Sequence, residues 1–128
     1  MMKISVLGSG GWGTAVAKVL NDNGHDVTLW SKFEKEAEML RSARENPLLK
    51  GVAIPEGIKI TASADDAAVG IDIAVFATPS FAVSETAVLF RDKLPKDCII
   101  VCISKGIEKD TMRLFSQILR ETFGEDAR

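Results

Sequence analysis

Short apolar runs alternate with longer amphipathic segments along the chain, five of each. Runs of about four to eight apolar residues between turn residues are typical of strands, and apolar positions three or four apart predict helices. The predicted strands are Lys3–Leu7, Asp26–Trp30, 58–61, Ile71–Pro79 and Asp97–Ser104. The predicted helices are 14–24, Glu34–Glu45, a short helix capped by Ser63, Ser80–Leu94 and 109–124.

Two of these strands, Ile71–Pro79 and Asp97–Ser104, are almost continuously apolar, as expected of parallel strands covered on both faces. Strand–helix alternation with right-handed crossovers predicts an α/β fold, a doubly wound parallel sheet of Rossmann-like strand order 3-2-1-4-5. Residues 1–128 are interpreted as one domain of ordinary size. Such a sheet binds ligands at the carboxyl ends of its strands, near the point where the strand order reverses.

Composition and charge narrow the class of protein. With 46% hydrophobic and 27% charged residues, the chain can bury a core and is not predicted to be disordered. Its 16 basic residues are interleaved with 18 acidic ones, so we expect no nucleic-acid partner. No apolar run approaches the ~20 residues that span a bilayer, and the first run is too short for a signal peptide. We therefore expect a cytoplasmic protein with no membrane span.

Neither a metal site nor a disulfide is indicated. Cys98 and Cys102 lie in one predicted strand, too far apart to bridge without bending it, and are predicted to be buried thiols. The only histidine, His25, lies in a turn-like segment, and a metal site would need further soft ligands.

The segment "GSGGWG", residues 8–13, joins the first strand to the first helix. Gly8, Gly10 and Gly13 fit G-x-G-x-x-G in the structural context that a dinucleotide-binding turn requires. Gly8 would allow the tight turn, Gly10 would let the backbone approach a pyrophosphate, and Gly13 would let the helix pack closely on the strand. The alternative is a glycine turn that serves packing alone. No Lys-Ser or Lys-Thr pair follows, which argues against a P-loop.

Five segments together carry a resemblance to a known family. They are "GSGGWGTA" at the first turn, "LW" at the end of the second strand, "EN" before the next loop, "ATPS" after the fourth strand and "SKGIE" after the fifth. They resemble the NAD(P)-dependent glycerol-3-phosphate dehydrogenases over nearly the whole chain. The resemblance implies an oxidoreductase that interconverts sn-glycerol 3-phosphate and dihydroxyacetone phosphate with NAD(P)(H), for phospholipid precursor synthesis. It also implies a small phosphorylated substrate and is compatible with a homodimer in the full-length form.

The resemblance implies roles for particular residues. Trp12 would form a flat wall beside the pyrophosphate and help to exclude water near the nicotinamide; its alternative role is packing between helix and sheet. Lys105 would contact both cofactor and substrate, although a loop lysine is ordinarily only solvated. Phe33 would contact the adenosine end of the cofactor, with Ser31 and Lys32 beside it.

The chain departs from the family pattern in three respects. Gly11 belongs to the cofactor-binding turn but stands where Ser or Asn is usual, so one side-chain contact to the phosphates is lost or passes to the backbone. The loop "ENPLLKGVAIPEG" lacks the usual Tyr-Leu-Pro. The family's Gly-Pro-Ser segment and helical catalytic domain have no counterpart in 1–128, so the chain looks truncated before that domain. No catalytic residue is therefore predicted within it.

The end of the second strand predicts the preferred cofactor. An NAD-specific site places an acid about 20 residues beyond the glycines, where this chain has Trp30 followed by Ser31, Lys32 and Phe33. Lys32 could pair with a 2′-phosphate, so the sequence predicts NADPH in modest preference to NADH. If Lys32 is merely solvated, both cofactors would bind alike.

Two other functions stay open from sequence. A different two-domain dehydrogenase, such as a ketopantoate reductase or a hydroxyacyl-CoA dehydrogenase, would have the same kind of first domain, although "WGT" and "SKGIE" argue against it. A free-standing NADP(H)-binding module that senses the cofactor without catalysis would fit the length of 128 residues.

Overall fold

The computed structural model describes residues 1–109 and 111–128, which form a five-stranded parallel sheet covered by helices. The strands are β1 (Lys3–Leu7), β2 (Asp26–Trp30), β3 (Lys59–Thr61), β4 (Ile73–Phe76) and β5 (Ile99–Cys102). The helices are α1 (Gly11–Asp22), α2 (Glu34–Ala43), α3 (Ala64–Ala68), α4 (Val83–Phe90) and α5 (Phe115–Phe123), with a 3₁₀ turn at Ser80–Ala82 before α4.

The strand order is β3-β2-β1-β4-β5, which confirms the predicted topology. All the pairings are parallel. The chain runs outward from β1 through β2 to β3, then crosses back to β4 on the other side of β1. The strand order therefore reverses between β1 and β4, and the carboxyl ends of these two strands are where such a sheet leaves a crevice.

The core lies on both faces of the sheet. Because successive strand residues point to opposite faces, Ile4 and Val6 of β1 join the cluster that packs under α1 and α2, whereas Leu7 joins the opposite cluster. In that second cluster the Trp30 ring packs edge-on against Phe90, with centroids 5.1 Å apart. Trp30, which stands where an NAD-specific site would have an acid, is therefore a core residue.

Several predicted boundaries differ from the structure. The helix predicted over 109–124 is wrong at its start, because Met112 has a φ of 58° and a bridge joins Ile107 to Leu114, so that α5 begins at Phe115. Asp110 lies outside the described residues. The strand predicted for Ile71–Pro79 pairs only over Ile73–Phe76, because the neighbouring strands end there.

The helix predicted for Ser80–Leu94 consists of the 3₁₀ turn and α4, and it ends at Phe90. Ser63 does cap α3, since its hydroxyl accepts a hydrogen bond from the Asp66 N–H at 3.2 Å. Both cysteines are free thiols, and Cys98 is buried as predicted, whereas Cys102 on the edge strand β5 is only half-buried. Within the described ranges, no helix is long and apolar enough to cross a bilayer.

Candidate functional site

The turn between β1 and α1 contains two glycines that the packing of the domain requires. Gly8 has a φ of +130°, and a Cβ there would lie 2.7 Å from the backbone of Ala77. A Cβ on Gly13 would lie 2.1 Å from the carbonyl oxygen of Gly8. Both distances are far below van der Waals contact, so α1 approaches the strands this closely only because neither residue has a side chain.

Gly10 is different, because the packing of the protein does not require glycine there. Its φ of −68° and ψ of −178° suit any residue. Apart from its chain neighbours, no described residue places an atom within 4 Å of the position of a Cβ. Gly10 is the N-cap of α1, whose first N–H groups have no intrahelical partner and whose dipole is positive at this end. The space beside Gly10 therefore fits an anionic group that approaches the backbone, as a pyrophosphate does.

An open cleft runs along the carboxyl ends of the strands on both sides of Gly10. One part, of about 250 Å³, is called here the Phe33 half and is lined by Gly8–Gly10, Trp30–Phe33, Glu36, Thr78, Pro79, Phe81, Ala82, Glu85 and Thr86. The other, of about 440 Å³, is called the Trp12 half and is lined by Gly10–Gly13, Ala77–Ser80 and Ile103–Lys105. Because the two parts share Gly10, Thr78 and Pro79, one elongated ligand can extend across the glycine turn.

Two exposed rings flank the Phe33 half. The Phe33 side chain is 61% exposed and the Phe81 side chain 87% exposed. Exposed aromatic rings that line one cleft suit a flat ligand ring. Lys32 lies with its Nζ 5.6 Å from the Phe33 centroid, and the same ammonium forms an ion pair with Glu85 of α4. Ser31 is buried and lines the floor of this half.

Trp12 and Lys105 both line the Trp12 half. The Trp12 side chain is 59% exposed, whereas α1 packs on the sheet through Gly13, Thr14 and Ala17. Packing between helix and sheet therefore does not explain Trp12. Lys105 is exposed in the loop after β5, and it is the one charged residue among the described residues that line this half.

Glu108 fixes the loop that carries Lys105 to α4. The Ser84 hydroxyl of α4 donates a hydrogen bond to Glu108, and Thr111 and Arg113 donate to the other carboxylate oxygen at 2.5 and 3.1 Å. These bonds, that of Ser84 foremost, lower the pKa of Glu108 to about 2, because donors favour the charged carboxylate. The glutamate of "SKGIE" therefore ties the loop that follows Lys105 to α4.

Gly11 and the atypical loop after α2 are in contact. A Cβ on Gly11 would lie 3.1 Å from the Leu48 carbonyl oxygen and 3.3 Å from the Leu48 Cβ. Leu48 belongs to "ENPLLKG", the segment that lacks the usual Tyr-Leu-Pro. The two departures from the family pattern therefore lie in contact, and Leu48 would have to yield by a few tenths of an ångström to admit a side chain at position 11.

Several residues of the cleft were not predicted from the sequence, among them Glu36, Thr78 and Phe81. The Thr78 hydroxyl is buried and finds no hydrogen-bond partner among the residues that the structure describes, which leaves a ligand or a water molecule to satisfy it. Asn46 is also buried, and its amide donates to the Ser9 carbonyl and to the Thr14 hydroxyl, each at 2.8 Å. The "EN" pair gave a signal for Asn46 and "ATPS" gave one for Thr78, whereas no sequence pattern marked Glu36 or Phe81.

Another cavity lies away from the glycine turn. It has a volume of about 550 Å³ and lies between the end of α4, β5 and α5, and its lining within 1–109 and 111–128 includes none of the predicted site residues. In the same part of the chain, no group of three His, Cys, Asp or Glu side chains could hold a metal ion.

Comparisons with known proteins agree on one family. The family model described as NAD-dependent glycerol-3-phosphate dehydrogenase N-terminus matches residues 3–128. A glycerol-3-phosphate dehydrogenase (NAD(P)+) from Fusobacterium nucleatum is 42% identical over 126 residues, and one from Corynebacterium glutamicum is 39% identical over 127 residues. Each alignment covers 98% of this chain and 38% of the relative. The crystal structure of glycerol-3-phosphate dehydrogenase from Coxiella burnetii has a TM-score of 0.90 at 27% identity, covering 97% of this chain and 38% of that one.

Proposed function

The chain belongs to the NAD-dependent glycerol-3-phosphate dehydrogenase N-terminus family, and on that premise we propose that residues 1–128 are the NAD(P)(H)-binding portion of a glycerol-3-phosphate dehydrogenase. The whole enzyme would interconvert sn-glycerol 3-phosphate and dihydroxyacetone phosphate. Membership of this family removes the ketopantoate reductase and hydroxyacyl-CoA dehydrogenase alternatives. The observation that carries the proposal is Gly10, an open backbone position at the start of α1 that the protein's own packing does not require.

The two halves of the cleft differ in the way that a dinucleotide requires. The backbone N–H groups at the start of α1 would bind the pyrophosphate at Gly10. The Phe33 half, with the Phe33 and Phe81 rings, would bind the adenosine. The Trp12 half would bind the nicotinamide, where the exposed indole of Trp12 would exclude water from one side. The cofactor, when bound, supplies hydride chemistry that no side chain can provide.

Lys105 would serve the substrate as well as the cofactor. It brings the single positive charge among the described residues that line the Trp12 half, and a cation at the mouth of a cleft attracts an anionic substrate. A three-carbon phosphate carries such a charge. The hydrogen bonds of Glu108 and Ser84 hold the loop of Lys105 against α4, so the ammonium would be positioned before substrate arrives.

Further proposals concern the whole enzyme. The chain spans about 38% of the length of the curated relatives that it matches, and we propose that the general acid for carbonyl reduction lies outside residues 1–128. Phospholipid precursor synthesis, a cytoplasmic location, a homodimer and the absence of a nucleic-acid partner stay predictions. A module that senses the cofactor without catalysis stays an alternative for the isolated chain.

The test is a titration of the chain with NADH and with NADPH, followed by nicotinamide fluorescence. We expect binding by the wild type and none by Gly10→Val, because the branched side chain would occupy the space needed by the pyrophosphate. The variant should keep its circular dichroism and lose only a few degrees in Tm, since the added atoms meet no described part of the protein at the Cβ and the cost is that of a poorer N-cap. Ser116→Val, at an exposed position in the first turn of α5, is the matched control and should bind normally. Unchanged affinity in Gly10→Val would mean that the glycine turn serves packing alone.

A further inference from the structure

Glu36 places a carboxylate in the Phe33 half of the cleft that the proposed function does not use. We propose that Glu36 determines cofactor choice: it accepts hydrogen bonds from the hydroxyls of the adenosine ribose, so the chain binds NADH in preference to NADPH. This inference rests on the proposed function, because it needs a dinucleotide in the cleft. It reverses the preference that Lys32 predicted from sequence.

The carboxylate of Glu36 is held beside the glycine turn. Glu36 lies in the first turn of α2, and its side chain is half-buried. The Ser9 hydroxyl donates a hydrogen bond to Oε1 of Glu36. Because an ionised carboxylate offers about four acceptor sites, it can accept ribose hydroxyls while it keeps the bond from Ser9. In sheets of this type, the acid that recognises the ribose 2′-hydroxyl lies about 20 residues beyond the glycines; Trp30 stands there in this chain, and Glu36 would take the same role from the first turn of α2.

Lys32 does not offset the negative charge of Glu36, because Glu85 already binds the Lys32 ammonium. Its ammonium forms an ion pair with Glu85 of α4, across the Phe33 half. Three charged residues line this half, namely two acids, Glu36 and Glu85, and one base, Lys32. A 2′-phosphate would add about 1.5 to 2 negative charges at neutral pH to a site that already has one more acid than base. The free hydroxyl of NADH meets no such repulsion and supplies the donor that a carboxylate needs.

The other two acids of α2, Glu34 and Glu38, do not add a free negative charge to the Phe33 half. Glu34 is bound to Arg41 of the same helix, with an N–O distance of 2.6 Å, so its charge is compensated. Glu38 is exposed on the same helix and does not line the Phe33 half. Glu36 is thus the acid of α2 that the fold brings into the cleft.

The test is isothermal titration of the chain with NADH and NADPH, comparing the ratio of the two Kd values. We expect the wild type to bind NADH about tenfold more tightly, as for a hydrogen bond to a partly exposed charged group. Glu36→Gln should bring the two Kd values within about threefold, by weakening NADH and strengthening NADPH. Glu85→Gln, which releases Lys32, should strengthen NADPH alone. Glu38→Gln is the matched control and should leave the ratio unchanged.

Each failure has a separate meaning. Equal affinities in the wild type, tighter binding of NADPH, or an unchanged ratio in Glu36→Gln would overturn the role of Glu36 and leave the dinucleotide site intact. Binding of neither nucleotide by the wild type would overturn the proposed function together with this inference. If Glu36→Gln loses its thermal unfolding transition, the Glu85→Gln arm decides, and unchanged NADPH affinity there overturns the inference.

Discussion

Replacement of Gly13 by alanine should test how closely α1 packs on the sheet. The change adds one methyl group, the smallest side chain that the position can receive. In the structure that methyl group would lie 2.1 Å from the carbonyl oxygen of Gly8 and 3.2 Å from the Ala77 Cβ. The nearest atom belongs to the backbone, so no side-chain rotation can relieve the contact.

The expected loss follows from this distance. Non-bonded heavy atoms approach to about 3.5 Å, so α1 must move away from β1 by roughly 1 Å, and its packing through Thr14 and Ala17 must open. Such overpacking costs about 1–3 kcal/mol and occasionally more, whereas alanine gains about 1 kcal/mol over glycine in helix propensity. Because the clash is with backbone, we take the upper end and expect a net loss of about 2 kcal/mol in the free energy of unfolding. For a chain of 128 residues this corresponds to a decrease in Tm of about 8 °C.

The assay is urea and thermal unfolding of Gly13→Ala beside Gly10→Ala and Gly11→Ala. Gly10→Ala should unfold within about 1 kcal/mol of the wild type, since no described atom opposes its Cβ and alanine is only the poorer N-cap residue. Gly11→Ala should be intermediate, because Leu48 must yield by only a few tenths of an ångström. A Tm for Gly13→Ala within about 2 °C of the wild type would refute the packing argument, and with it the reason given for glycine at this position.

Other predictions concern the cleft and its loop. Trp12→Ala should weaken nucleotide binding yet unfold within about 0.5 kcal/mol of the wild type, because the side chain is 59% exposed; a large loss of stability would assign Trp12 to packing. Lys105→Ala in the whole enzyme should raise the KM for cofactor and for substrate, and intact kinetics would make Lys105 a solvated loop residue. Since the pKa of Glu108 falls from 4.5 to about 2 on folding, its stabilisation is present above about pH 4.5 and is lost towards pH 2. The urea midpoints at about pH 6 and about pH 3 should therefore differ less in Glu108→Gln than in the wild type, and an equal difference in the two proteins would contradict the role given to Glu108. The isolated chain should show no turnover of dihydroxyacetone phosphate with reduced cofactor, because positioning of the reacting groups is worth about 7–11 kcal/mol; a steady-state rate from pure 1–128 would disprove this.

Much of the fold could be predicted because its determinants are local. Apolar runs ended by turn residues predicted all five strands of the described sheet, and the handedness rule for crossovers then predicted their order. The glycine turn was recognisable because its spacing and its place between strand and helix are both set within a few residues. The start of α5 was mispredicted, because the bridge from Ile107 to Leu114 and the hydrogen bonds of Glu108 compete with helix propensity there.

The sequence by itself therefore determined the architecture and predicted where a dinucleotide would bind, whereas only the tertiary structure decided the charge balance around that place. Lys32 meets Glu85 across 53 residues of chain, and Ser9 meets Glu36 across 27. Neither pairing has a local pattern, because each depends on which helices the crossovers bring to the same end of the sheet. Leu48 lies over Gly11 for the same reason. Local chemistry selects the elements of a doubly wound sheet, but the electrostatics of its cleft arise where distant elements meet.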